Sequence, residues 1–270
     1  GKTAYVSNYG GGAYNTLAVL DLVDQKALAS IDLGPLRGPH GLDFVGGKTW
    51  FTAEAAKVIG RYDPATKKVD WILGTGQNRT HMVWVSRDMT RIVTTNVSSA
   101  TVSIIEKSPT PPGGRRWGPV GGDWNQTVIS VGKGGEGFDI SPDGKEIWTA
   151  NAGDGTVSII DIAAKAVVNT LAANVGGANR LKFTPRGDRV LISSLSGPDL
   201  VVLDAKTHHE VKRIPIGHGA AGIQIQPDGA RAFVACTPDN YVAVIDLKTL
   251  QVTGHIDAGA HPDGMTWKAQ

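Results

Sequence analysis

The chain has 270 residues, 35 of them glycine and 14 proline, with 19% charged residues and a formal net charge of +2. That composition describes a turn-rich globular protein; it excludes a coiled coil or a disordered chain and lacks the basic stripe of a dedicated nucleic-acid binder. The single cysteine, Cys236, excludes an internal disulfide framework, and no apolar run approaches the ~20 residues of a membrane-spanning helix.

In chain order, one short phrase recurs six times: Asn15 to Asp21, Lys57 to Asp63, Thr101 to Glu106, Thr156 to Asp161, Asp199 to Asp204 and Tyr241 to Asp246. Its acidic ends are 42, 43, 55, 43 and 42 residues apart, the period of propeller blades. A second strand precedes the phrase, as in Tyr5-Val-Ser-Asn8, Trp50-Phe-Thr-Ala53, Trp148-Thr-Ala-Asn151 and Phe233-Val-Ala-Cys236, rich in aromatic and β-branched residues. Before that strand comes a tight turn, such as Ser141-Pro-Asp-Gly144 or Gln226-Pro-Asp-Gly229, and before the turn an innermost strand. The innermost strands begin at Gly41, Met82, Gly137, Arg180, Gly222 and Gly264.

The first repeat lacks its innermost strand, and the chain ends just after a spare one, 264–268. Joining the ends gives a sixth interval of 45 residues. The prediction is an all-β, six-bladed β-propeller of four-stranded antiparallel blades, its ring closed by the C-terminal strand joining the N-terminal blade. The blades are 1–34 with 261–270, 35–76, 77–132, 133–175, 176–217 and 218–260. The third carries an insertion, 107–126, with Pro109, Pro111, Pro112, Arg115, Arg116, Trp117 and Trp124. Blade topology puts this insertion between the third and fourth strands, on the face opposite the entry to the innermost strands.

Tyr5-Val6-Ser7-Asn8, the Ser-Pro-Asp-Gly turn and the Val-Ile-Asp phrase resemble the YVTN-repeat β-propeller family over the whole chain. That resemblance implies the fold and leaves function open, since such propellers range from surface scaffolds to lactonase relatives. It leans toward a bacterial periplasmic or secreted protein whose leader has been removed.

Aligning the six innermost strands puts one residue of each blade at an equivalent entry position: Asp263, His40, His81, Glu136, Asn179 and Ala221. Two imidazoles and carboxylates on rigid strands form the ligand set of a catalytic divalent metal, so His40, His81, Glu136 and Asp263 are the candidate ligands. Nitrogen donors favour zinc, with manganese, iron, copper or calcium as alternatives. The Glu136-Gly137 step resembles the one that supplies a ligand in gluconolactonase-type propellers. The same polar residues also suit plain satisfaction of turn backbone. Asp263, His261 and His218 are candidate acids or bases, and Asn179 and Arg180 candidate substrate contacts, Arg180 through charge-assisted hydrogen bonds.

Gly132-Lys-Gly-Gly-Glu-Gly137 matches G-x-G-x-x-G, yet it leads into a strand where phosphate cradling needs a helix N-terminus. The expectation is a metal-dependent hydrolase of lactones, esters or phosphotriesters that takes a small-molecule substrate. The alternatives are a non-catalytic binding or scaffold propeller, and lyase or isomerase chemistry at the same metal.

Overall fold

The computed structural model describes residues 1–108 and 123–268. Runs of valine, isoleucine, threonine and tryptophan between Pro, Gly and Asp turns form six antiparallel sheets that follow one another along the chain, with strands a to d of each blade paired in sequence order. The fold class is the six-bladed β-propeller that the repeats predict. The chain divides into two compact units, 1–130 with blades 1 to 3 and 131–270 with blades 4 to 6.

In the first unit, blade 1 consists of Thr3–Asn8, Thr16–Asp21 and Lys26–Asp32. Blade 2 consists of Pro39–Val45, Lys48–Ala53, Val58–Asp63 and Lys68–Gly74. Blade 3 consists of Thr80–Val85, Arg91–Asn96, Thr101–Lys107 and Trp124–Ser130. The insertion therefore joins strands c and d, as expected. Of its singled-out residues only Trp124 is described; it packs on Trp71, with 5.5 Å between ring centroids. Pro109, Pro111, Pro112, Arg115, Arg116 and Trp117 lie outside the described residues.

In the second unit, the a strands are Gly135–Ile140, Ala178–Phe183 and Ala220–Ile225, each followed by strands b, c and d. Residues 264–268, assigned from sequence to blade 1, carry no strand, and blade 1 shows three strands of its own. Trp267 instead lies 5.9 Å, centroid to centroid, from Phe233 of blade 6.

Within each unit the a strands of successive blades lie side by side, and the core sits between blades. Phe51, Tyr62, Leu17 and Leu33 pack together between blades 1 and 2, and Trp50, Ile59, Val83 and Ile92 between blades 2 and 3. Strands b and c are covered on both faces, which is why they read as continuous apolar runs. Strand d alternates, as Lys68–Gly74 does.

The acid ending each repeat phrase caps the c–d turn. Asp204 accepts from the amides of Thr207 and Lys206 at 2.7 and 3.0 Å, and Asp246 from those of Thr249 and Lys248 at 2.7 and 3.0 Å. In blade 3, where the insertion replaces that turn, Glu106 pairs with Arg91 instead. The asparagine ending strand b staples the b–c hairpin: Asn96 and Asn151 donate to Ser103 and Ser158 at 2.9 and 3.0 Å.

Every described a strand breaks register with its b strand at the entry position, between Pro39 and Leu42, Thr80 and Val83, Gly135 and Phe138, Ala178 and Leu181, and Ala220 and Ile223. Such an irregularity takes backbone groups out of the ladder and re-aims the side chain there. A hydroxyl on strand b repairs it. Thr52 Oγ1 accepts from Gly41 N at 2.9 Å and donates to His81 O of the next blade at 2.6 Å. Ser193 does the same for Arg180 N and Ala221 O, and Ser7 donates to His40 O.

Two outcomes follow from this architecture. Thr52→Val leaves a buried amide and a buried carbonyl without their hydroxyl, at a cost of about 2 kcal/mol or more, whereas Thr52→Ser stays near wild type in urea unfolding. The turn amides, foremost those of Thr207 and Thr249, hold Asp204 and Asp246 below their ordinary values. A lowered folded pKa adds stability that is complete above the unfolded value and is lost as pH falls through the folded one. The urea midpoints of Asp204→Ala and wild type therefore converge in acid.

Candidate functional site

The first unit brings His40, Glu54 and His81 together, with one potential ligand atom from each lying within 4.8 Å of the others. Each side chain is fixed by the strand that carries it. His40 and His81 occupy the register breaks of the a strands of blades 2 and 3. Glu54 follows the b strand Lys48–Ala53, and its amide donates to Gly38 O at 2.9 Å. Tyr9, in the same position after the b strand of blade 1, donates its hydroxyl to Glu54 Oε2 at 2.6 Å.

In blades 2, 4 and 6 neighbouring backbone comes too close for a side chain at the glycine. A Cβ on Gly41 would lie 2.6 Å from His81 O, one on Gly137 2.4 Å from Asn179 O, and one on Gly222 2.1 Å from Asp263 O. Blades 3 and 5 carry Met82 and Arg180 at the same position, so the glycine is a local steric demand and not a general one. The His40 and His81 rings stack, with centroids 3.6 Å apart and planes inclined by 27°. Tyr9 meets His40 edge-on at 5.0 Å.

His81 is 1% exposed and Glu54 8%. The Glu54 carboxylate takes a short hydrogen bond from His81 Nδ1, and Arg79 Nε stands 3.6 Å from its second oxygen. An ionised carboxylate only accepts, so Nδ1 carries the proton in this bond. Burial, followed by the bond to Glu54, pushes the Tyr9 phenol up, which keeps it a donor.

Of the ligand set read from sequence, the structure joins His40 and His81 and supplies the carboxylate from Glu54, which that reading missed. The signal was available: the residues following strand b are Tyr9, Glu54, Val97, Ala152, Leu195 and Thr237, a second row whose two strongest hydrogen-bonding members neighbour the two histidines. Glu136 and Asp263 belong to the second unit. There Glu136 accepts from Asn179 Nδ2 at 3.0 Å, and Arg180 donates to the Asn179 carbonyl at 3.0 Å. Asp263 and His261 are exposed, the latter with its amide on Asn240. His218 is exposed too, its amide and ring on Asp239. Among the described residues, no group of three metal-ligating side chains includes His218, His261 or Asp263.

The geometry is that of a β-propeller bearing a carboxylate-anchored, stacked histidine pair. The family model of the cytochrome D1 heme domain matches residues 79–229, more than half of the chain. The chain belongs to the cytochrome D1 heme domain family. It is similar in structure to the hydrazine synthase of Kuenenia stuttgartiensis, with a TM-score of 0.78 and 16% identity, covering 98% of this chain and 86% of that one. It is also similar to KlHsv2 with loop 6CD replaced by a Gly-Ser linker, with a TM-score of 0.67 and 13% identity over 98% of this chain and 82% of that one. At these identities the likeness is one of fold. No protein of curated function matches the chain.

This family corrects the cofactor expectation. A heme-domain family replaces a divalent zinc, manganese, iron, copper or calcium site, and the matching model is not that of YVTN-repeat or lactonase-type propellers. The stacking supplies a physical reason. Imidazole lone pairs lie in the ring plane, so two rings lying face to face do not converge on one small ion, whereas an axial heme ligand needs only one imidazole. By its donor chemistry an imidazole suits heme iron, and of the two rings His40 is the more exposed.

Gly41→Ala should therefore destabilise by about 1–3 kcal/mol in urea unfolding, because rigid backbone must shift. Gly74→Ala, with nothing within 4 Å of its Cβ, is the neutral control.

Proposed function

We propose that this chain is a heme-binding redox propeller whose iron-facing ligand comes from the His40–His81 pair. One observation carries the reading: a buried imidazole, His81, held through Nδ1 by a buried carboxylate, in a chain of the cytochrome D1 heme domain family. Bound heme supplies a one-electron iron couple and a coordination position open to a small ligand.

The chain's residues do the rest. Glu54 holds His81 through Nδ1, and His81 in turn backs the more exposed His40 ring. His40, the more exposed ring, covers the face of His81, so one of the two rings serves as ligand and the other as its packing partner. Arg79, with 39% of its side chain exposed, is the cation available to heme carboxylates. The hydrolysis of lactones, esters or phosphotriesters depended on the divalent ion and is dropped with it.

The test is a titration of the purified protein with ferric heme of the b and d1 types, followed by absorbance. The expected result is saturable binding near one heme per chain, weakened at least tenfold by His81→Ala or His40→Ala and unchanged by His208→Ala, each variant checked for folding by circular dichroism. Absence of saturable binding, or wild-type affinity in both histidine variants, overturns the proposal.

A further inference from the structure

The second unit holds a cavity at the far end of its inner strands. It has a volume of about 330 Å³ and lies where the a strands of blades 4, 5 and 6 run into their a–b turns. That is room for a small molecule, and the lining has the mixture such sites use, apolar walls with a few polar groups. On the apolar side Phe183 and Ile223 are buried and Ile225 is half-buried. The polar groups are Asp139, Lys182 and Gln224, one from each blade.

These three occupy equivalent positions, each paired with a residue of its own b strand: Trp148, Leu191 and Phe233. Equivalent positions on neighbouring inner strands converge. A strand rise of about 3.3 Å per residue puts Asp139 and Lys182 roughly 10 Å along the strand from Glu136 and Asn179 of the entry row.

The two charges here do not satisfy each other. Asp139 Oδ2 is committed to the amide of Phe183 at 3.0 Å, which fixes the carboxylate against blade 5. Its Oδ1 meets Lys182 Nζ only at 3.5 Å, whereas the pairs Arg61–Asp70 and Arg91–Glu106 close to 2.7 and 2.9 Å. A charge-assisted bond reaches full strength at about 2.7–2.9 Å, so both members of this pair keep unused hydrogen-bonding capacity. Gln224 spends Nε2 on Ile225 O at 2.8 Å and keeps Oε1 as an acceptor. With side chains 20% and 41% exposed, Asp139 and Lys182 are open to a ligand arriving from solvent.

We propose that this cavity binds a small zwitterion with an apolar side chain, an apolar α-amino acid. Its carboxylate takes the Lys182 ammonium, its ammonium bridges Asp139 Oδ1 and Gln224 Oε1, and its side chain lies on Phe183, Ile223 and Ile225. The lining carries one charge of each sign, and a zwitterion matches both. A simple carboxylate or amine meets one and is opposed by the other. The site uses no residue of the histidine pair and does not depend on the heme reading.

The experiment is isothermal titration calorimetry of the purified protein with L-leucine, and with isocaproate and isoamylamine, which are leucine without its ammonium and without its carboxylate. Saturable leucine binding is expected, with each analogue weaker by about tenfold or more. Lys182→Met and Asp139→Asn are each expected to weaken leucine binding by about tenfold, while Lys206→Gln, at an exposed lysine outside the cavity, leaves it unchanged. Asparagine keeps an acceptor for the Phe183 amide, and urea midpoints check that each variant folds; should Asp139→Asn not fold, Lys182→Met decides. Absence of saturable leucine binding, an analogue that binds as tightly as leucine, or wild-type affinity in the folded variants overturns the proposal.

Discussion

The structure depends on one recurring repair. Each inner strand leaves the ladder for a residue or two at its entry, and the backbone groups released there are buried where water cannot satisfy them. In blades 2 and 5 a hydroxyl one strand further out closes the gap, accepting from its own blade and donating to the next, as Thr52 does between Gly41 and His81 and Ser193 between Arg180 and Ala221, whereas blade 6 has Ala235 there. The same short bonds join neighbouring blades and set how the entry residues face one another. Blade 4 has Ala150 at this position, and Thr149 reaches the carbonyl of Gly137 at 3.3 Å instead. A second stitch works near the other end of strand a, where Asp43 and Asp139 accept the amides of Val85 and Phe183 in the following blade.

Much of this was legible in the sequence because repetition turns local chemistry into a signal. The acid closing each phrase is a turn cap, Gly144 takes the positive φ its turn requires, and Gly132 to Gly137 leads into a strand, as its context demanded. His40 and His81 were found because equivalent positions on neighbouring blades must meet. Less legible was anything that needed two rows to be read together. Glu54 and Tyr9 lie after strand b while the histidines lie before strand a, and only the fold shows that these rows share one surface. His218, His261 and Asp263 are comparable in sequence, and the structure places all three on exposed segments, His218 and the His261 amide with local hydrogen-bond partners.

The contrast between the two units shows how a repeat protein places chemistry. The register break uses a backbone donor and acceptor; it asks nothing of the entry side chain. Ala221 meets the demand as well as His81 does, each carbonyl receiving a strand-b hydroxyl at 2.6 Å. Entry positions are therefore free to vary without loss of fold. A functional site arises where adjacent positions vary toward groups that complement one another. Between blades 4 and 5 the pair is Glu136 and Asn179, a carboxylate and an amide joined by one hydrogen bond. Between blades 2 and 3 the pair is two imidazoles, which stack. Glu54 takes the hydrogen bond of His81 Nδ1 and is itself met by the Tyr9 hydroxyl and the Arg79 guanidinium from the two adjoining blades. What distinguishes this unit is a stacked histidine pair held by a buried carboxylate, on a scaffold whose register breaks do not require either ring.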